Sequence, residues 1–159
     1  MVTRQIKDFD IRQICESGQC FRMLPVSDRI FSVTAFGRYL EVEQEGNSVA
    51  FSCTEEEFEA VWREYFDLDA DYAGMKKAID PEDFYLQEAA RTGGGIRILR
   101  QELWETIVTF IISQQNNIPR IRKCVEALCR RYGEMKENFR GECYYSFPDA
   151  KRLSGVSEE

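Results

Sequence analysis

The stretch that most constrains what this chain can fold into is residues 103–121. It begins as an apolar helix, because Leu103, Ile107, Phe110, Ile111 and Gln114 fall at i, i+4, i+7, i+8 and i+11. Trp104, Val108 and Ile112 fill the neighbouring face, so the helix is hydrophobic nearly all round and is expected to be the buried one. It runs without a break into five polar residues, Ser113, Gln114, Gln115, Asn116 and Asn117. A second helix should follow, with Asn117 as N-cap and Pro119 in the first turn, where a missing N–H costs little. Ile121, Cys124, Val125, Leu128 and Tyr132 would carry its apolar stripe. A buried helix that delivers amides and a fresh helix N-terminus to one spot suits a polar, anionic ligand. Such amides are equally common as caps and turn formers, so the residues by themselves leave both readings open.

A chain of 159 residues can bury one ordinary core, or two small ones that share a face. Its 43% hydrophobic and 31% charged residues describe a soluble globular protein. No apolar run approaches the roughly 20 residues that span a bilayer, so no membrane partner is expected. The first eight residues lack an apolar segment after their basic residues, which predicts no signal peptide and a cytoplasmic location, nucleoid-associated in a bacterium. The cysteines (Cys15, Cys20, Cys53, Cys124, Cys129 and Cys143) show no Cys-x-x-Cys spacing, and histidine is absent. No metal site and no cofactor is therefore expected, and the thiols should be reduced and structural. The lack of histidine also excludes a Ser-His-Asp or Cys-His engine within this chain.

The net charge of −7 argues weakly against nucleic acid, but its distribution argues back. Residues 41–88 are strongly acidic, with only Arg63, Lys76 and Lys77 opposed. From 89 to 133 the balance reverses, and Arg91, Arg97, Arg100, Arg120, Arg122, Lys123, Arg130 and Arg131 face only Glu102, Glu105 and Glu126. A basic footprint on the turn-bearing segment is what phosphate contact requires.

Residues 9–53 read as β. Phe31, Val33 and Ala35 alternate on one face, Gly37 marks a turn, and Leu40 and Val42 then alternate with acids. Glu45-Gly46-Asn47 is a hairpin signal before Val49, Phe51 and Cys53 at period two. Ahead of this meander, Ser17-Gly18-Gln19 is a turn. Helices begin at Thr54, which opens a capping box with Glu57; Phe58, Val61, Trp62 and Tyr65 form the first apolar stripe. Residues 72–78 form a short helix, and Asp80-Pro81 opens another with Phe84, Tyr85 and Ala89 facing inward. Gly93-Gly94-Gly95 reads as a loop hinge, since no Gly-Lys-Ser/Thr follows.

Two strings carry a resemblance. Ser113-Gln114-Gln115-Asn116-Asn117-Ile118-Pro119-Arg120-Ile121, after an aromatic-aliphatic helix, resembles the lesion-probing turn of the 8-oxoguanine DNA glycosylases, in the helix–hairpin–helix glycosylase superfamily. Ser17-Gly18-Gln19-Cys20-Phe21-Arg22 is similar to that family's N-terminal signature, although Met23 stands where the family commonly has Trp. An acidic helix followed by Ile96-Arg97-Ile98-Leu99-Arg100 also fits the family order. The resemblance implies an α+β fold: an antiparallel β-meander sheet (TBP-like) packed against an α-helical region. Residues 1–53 would form the sheet, and 54–159 the first part of the helix–hairpin–helix domain, with hairpin and catalytic part absent. Residues 151–159 resemble the middle of a family member, cut at the start of its next helix.

The same resemblance implies double-stranded DNA containing oxidised guanine as partner. The glycine carbonyl, here Gly18, would accept the N7–H that oxidised guanine has and guanine lacks. Gln115, where the family commonly places Asn, would plug the gap left by the flipped base together with Asn116 and Asn117, and Arg120 would contact the orphaned cytosine. The family's catalytic lysine and assisting aspartate have no match here: Lys76, Lys77, Lys123, Lys136 and Lys151 occupy no such motif. No catalytic residue is expected in this chain, and both are expected downstream. The intact protein is then expected to be an 8-oxoguanine DNA glycosylase and AP lyase of base-excision repair. An alkylpurine DNA glycosylase and a non-catalytic damaged-DNA-binding module are the alternatives. With the helix at 103–113 apolar on so many sides, the chain should expose an apolar patch or self-associate.

Overall fold

The computed structural model describes residues 1–156. The alternation that defines the sheet is borne out in its burial: in the strand Ile30–Ala35, Phe31, Val33 and Ala35 are buried and their neighbours are not. Five strands, β1 (Val2–Gln5), β2 (Met23–Pro25), β3 (Ile30–Ala35), β4 (Arg38–Glu45) and β5 (Ser48–Phe51), form an antiparallel sheet in the order β1-β5-β4-β3-β2. Phe36 and Gly37 both adopt positive φ between β3 and β4, the geometry of a two-residue turn that matches strand twist. Gly46 does the same ahead of β5. The fold class is α+β, as the sequence implies.

Two features of this region depart from the sequence reading. β1 lies ahead of the expected meander and adds to the free edge of β5, with Val2 opposite Phe51. Its four residues hold a single apolar one, too little for a period-two signal. Within the stretch read as β lies a helix, α1 (Ile11–Glu16), whose Asp10 cap accepts from Gln13 N–H. Ile11, Ile14 and Cys15 point inward at i, i+3 and i+4, a helical spacing that a β reading of residues 9–53 overrides.

The helical elements are α2 (Glu55–Glu57), a π-helical turn (Phe58–Trp62), α3 (Arg63–Tyr65), α4 (Tyr72–Lys77), α5 (Phe84–Thr92), α6 (Leu103–Ser113), α7 (Ile118–Tyr132) and α8 (Ala150–Ser154), with a hairpin of β6 (Met135–Glu137) and β7 (Cys143–Tyr145) after α7. Residues 157–159, the end of the stretch likened to the middle of a family member, lie outside the described residues. Thr54 caps α2 as expected, accepting from Glu57 N–H, and the Glu57 carboxylate accepts from the Trp62 indole. Among the described residues no helix is long and apolar enough to cross a membrane.

The chain folds as two compact units. The first comprises Met1–Cys20, Pro25–Phe31 and Glu41–Arg100, and the second Phe21–Leu24, Ser32–Leu40 and the residues from Gln101 onward. The first unit has an aromatic core, in which Phe51 packs on Phe58 and Phe66 and Trp62 meets Tyr65 edge to face. The core of the second unit is Ile121, Val125 and Cys129, against which Phe21, Ile112, Tyr145 and Phe147 pack. Cys15, Cys20, Cys53 and Cys129 are buried, and Cys124 and Cys143 are exposed.

Two helices are not buried as the sequence suggests. In α5, Phe84 and Tyr85 are exposed and no residue of the helix is buried. In α6, Leu103, Ile107, Phe110 and Ile111 stand in solvent, Leu103 with 73% of its surface accessible. The buried residues of α6 are Glu105 and Thr109. A helix apolar on so many sides has no pattern to choose its inner face, and the face turned inward here carries Glu105, beside the buried Arg22 side chain.

Candidate nucleic-acid interface

The C-terminal end of α6 turns out of the helix at Gln114, whose ψ of 125° is extended. Gln115 follows with φ of 50°, in the left-handed region that costs an ordinary L-residue about 1–2 kcal/mol. Asn117 returns to extended backbone and caps α7, its Oδ1 accepting from Arg120 N–H at 3.1 Å. Asn116 ties the turn across: its Nδ2 donates to the Ile112 carbonyl and its Oδ1 accepts from Asn117 N–H, both at 3.0 Å. Ser113 and Gln114 both donate to the Phe110 carbonyl. Four polar side chains are thus spent on closing the turn. The exposed Gln115 and Arg120 side chains are bound to none of the described residues. Asn116 and Asn117 build the turn, and Gln115 and Arg120 are presented by it.

The helix that carries this turn is held by a buried ion pair in the second unit. Arg22 Nη1 lies 3.6 Å from Glu105 Oε2, beyond hydrogen-bond reach, and both side chains are more than nine-tenths buried. Arg22 also donates to the Tyr145 carbonyl. Burial pushes the Glu105 carboxyl up to about 7, against the pull of the Arg22 charge. Burial likewise raises the neighbouring Cys129 thiol to about 11. Trp104 donates to the Pro148 carbonyl at 2.9 Å, and Thr109 to the Glu105 carbonyl at 2.8 Å. Sequence reasoning missed this pair. Its one signal was a lone carboxylate in an otherwise apolar run.

Gly18 belongs to the first unit. α1 is capped at its C-terminus by Ser17, whose hydroxyl donates to the Ile14 carbonyl at 2.7 Å, and Gly18 follows with φ of 80°, a region open to glycine. It is half-buried. Gly93-Gly94-Gly95, expected as a hinge, is packed instead: a Cβ at Gly95 would lie 2.2 Å from Asp10 Cβ.

The N-terminal-domain profile of the 8-oxoguanine DNA glycosylases matches residues 1–107, two thirds of the chain. The chain belongs to this family. A Saccharomyces cerevisiae N-glycosylase/DNA lyase is 43% identical over 65 residues, which are 41% of this chain and 17% of that protein. A solved structure of MBOgg1 in complex with a low-affinity DNA ligand is 39% identical with a TM-score of 0.92, covering 97% of this chain and 53% of its own. The Clostridium acetobutylicum 8-oxoguanine glycosylase/lyase, bound to double-stranded DNA with cytosine opposite 8-oxoG, is 38% identical with a TM-score of 0.91 over 98% of this chain and 53% of its own. The chain thus spans about half the length of these solved relatives.

Within this family member, the basic footprint is narrower than the sequence suggests. Arg97 is not a surface cation: it is buried and donates to the carbonyls of Lys7, Asp8 and Asp67. Arg91 pairs with Glu88, Arg100 with Asp67 and Arg130 with Glu126. Two of the lysines are also engaged, Lys76 by Asp8 and the Gly94 carbonyl and Lys136 by the Gly37 carbonyl. Arg120, in the first turn of α7, is an exposed basic residue next to the amide turn.

Proposed function

We propose that this chain recognises 8-oxoguanine in duplex DNA, as part of a DNA N-glycosylase with AP-lyase activity in base-excision repair. One observation carries the reading: Gln115 stands at the apex of a turn braced by its neighbours, in a left-handed conformation, with its own amide uncommitted. Backbone strain held in place by surrounding hydrogen bonds is typical of a working site. An enzyme that acts on a base must draw it from the stack and fill the gap, and an outward amide on a rigid apex suits that task. Arg120, in the first turn of α7, supplies a fork for the acceptors of the unpaired cytosine. Gly18 supplies a backbone carbonyl for the N7–H of the oxidised base. The naming of the relatives as N-glycosylase/DNA lyase and 8-oxoguanine glycosylase/lyase supports the reaction class.

Fluorescence anisotropy with duplexes carrying 8-oxoguanine or guanine opposite cytosine tests this. The wild-type chain should favour the lesion duplex, and Arg120→Ala should weaken it by roughly tenfold, the worth of a bidentate base contact of 1–3 kcal/mol. Equal affinity for the two duplexes would defeat the proposal.

A further inference from the structure

Gly18 has no Cβ, so its ψ is soft, and the direction of its carbonyl must be set from the other side of the Gly18–Gln19 peptide. Gln19 is placed to do this. Its Oε1 accepts from the Leu99 N–H and its Nε2 donates to the Arg97 carbonyl, both at 3.0 Å. A carbonyl at one residue and an N–H two residues on are what a parallel strand opposite Ile98 would engage, so the side-chain amide stands in for a strand. Nε2 also donates to Ser17 Oγ at 3.0 Å, bridging the residues on either side of Gly18. The next residue, Cys20, is buried, with its sulfur 3.5 Å from the Tyr65 hydroxyl.

The segment that Gln19 grips is itself rigidly held. Asp10 N–H donates to the Gly95 carbonyl, and Gly95 N–H donates to Gln13 Oε1, each at 2.9 Å. The Arg97 guanidinium spans three backbone carbonyls and lies 4.5 Å from the centre of the Tyr72 ring. Arg100 N–H donates to the carbonyl of the buried Tyr65. Among the described residues, no group donates to the Gly18 carbonyl itself.

We propose that Gln19 is a positioning residue: its amide clamp on Arg97 and Leu99 aims the Gly18 carbonyl, and so sets how sharply the chain separates oxidised guanine from guanine. This rests on the reading of Gly18 given above. A carbonyl facing N7–H makes a hydrogen bond, and one facing the bare N7 of guanine opposes two lone pairs. That contrast depends on direction, so a loosened carbonyl relaxes it.

The test uses the full chain and three duplexes, each opposite cytosine: 8-oxoguanine, guanine and an abasic site, which offers no base to Gly18. Gln19→Met keeps the length and removes both polar ends, while Gln19→Glu keeps an acceptor for Leu99 N–H. The 8-oxoguanine/guanine affinity ratio should fall about fivefold in Gln19→Met, on the scale of one lost hydrogen bond, and by less in Gln19→Glu. Abasic-duplex affinity should stay at the wild-type level in both. An unchanged ratio overturns the inference and leaves the function standing. Loss of abasic affinity alongside the ratio overturns the positioning role in favour of a general structural one. A wild-type ratio of one overturns the reading of Gly18 and the inference with it.

Discussion

Glu105 offers the clearest quantitative test, because its environment is unusual and its titration is predicted to fall near neutrality. Its carboxyl is raised from 4.5 to about 7 by burial, with Glu102 adding to the rise and Arg22 opposing it. Below about pH 4.5 the group is protonated in both folded and unfolded chains and costs nothing. As pH rises towards 7 the unfolded chain ionises first, so the folded state, which holds the extra proton, loses stability. Above 7 both states are ionised and the loss is complete. The gap between 4.5 and about 7 corresponds to about 3 kcal/mol, most of which falls between pH 5 and pH 8. Glu105→Gln keeps the shape and an acceptor towards Arg22 but cannot titrate. In urea unfolding followed through the amide signals of α6 and α7, wild type should therefore lose roughly 2–3 kcal/mol relative to Glu105→Gln between pH 5 and pH 8. Carboxyl carbon chemical shifts of Glu105 should titrate near 7 in parallel. A stability difference that stays flat with pH, or a carboxyl that titrates at 4 to 5, would refute the burial argument.

Other expectations follow from the turn and the packing. Asn117→Ala removes the α7 cap and should cost about 1 kcal/mol in chemical denaturation. Gln115→Gly relieves the left-handed residue and should raise stability by up to about 1 kcal/mol while lowering the preference for lesion duplex, a pair of opposite signs readable by calorimetry and anisotropy. Gly95→Ala drives a methyl into Asp10 and should cost about 1–3 kcal/mol in the same denaturation assay. Phe110→Ser, on the solvent face of α6, should change the melting free energy by no more than about 0.5 kcal/mol.

Much of the fold is legible in the sequence, because the legible features are local. Alternation at Phe31, Val33 and Ala35, the turn at Gly37, the Thr54 cap and the turn from Ser113 to Asn117 with its Asn117 cap all rest on interactions within a few residues. The amide-rich turn could even be located to the residue. Which of its amides is free could not, because that depends on carbonyls one turn back in α6. α1 was visible in the spacing of Ile11, Ile14 and Cys15 but was overridden by the β pattern around it.

What only the tertiary structure decided involves partners far apart in the chain. β1 exists because β5 offers it an edge, not because Val2–Gln5 has a strand signal of its own. Arg97 reads as a surface cation until the carbonyls of Lys7, Asp8 and Asp67 surround it. Gln19 reads as a turn residue until Arg97 and Leu99 lie beside it. The inner face of α6 is the sharpest case. Sequence determined that the segment is a helix, since period and caps are encoded within it. Its inward face is the one that carries Glu105 beside Arg22, eighty-three positions away, a contact that no pattern within an apolar helix can encode.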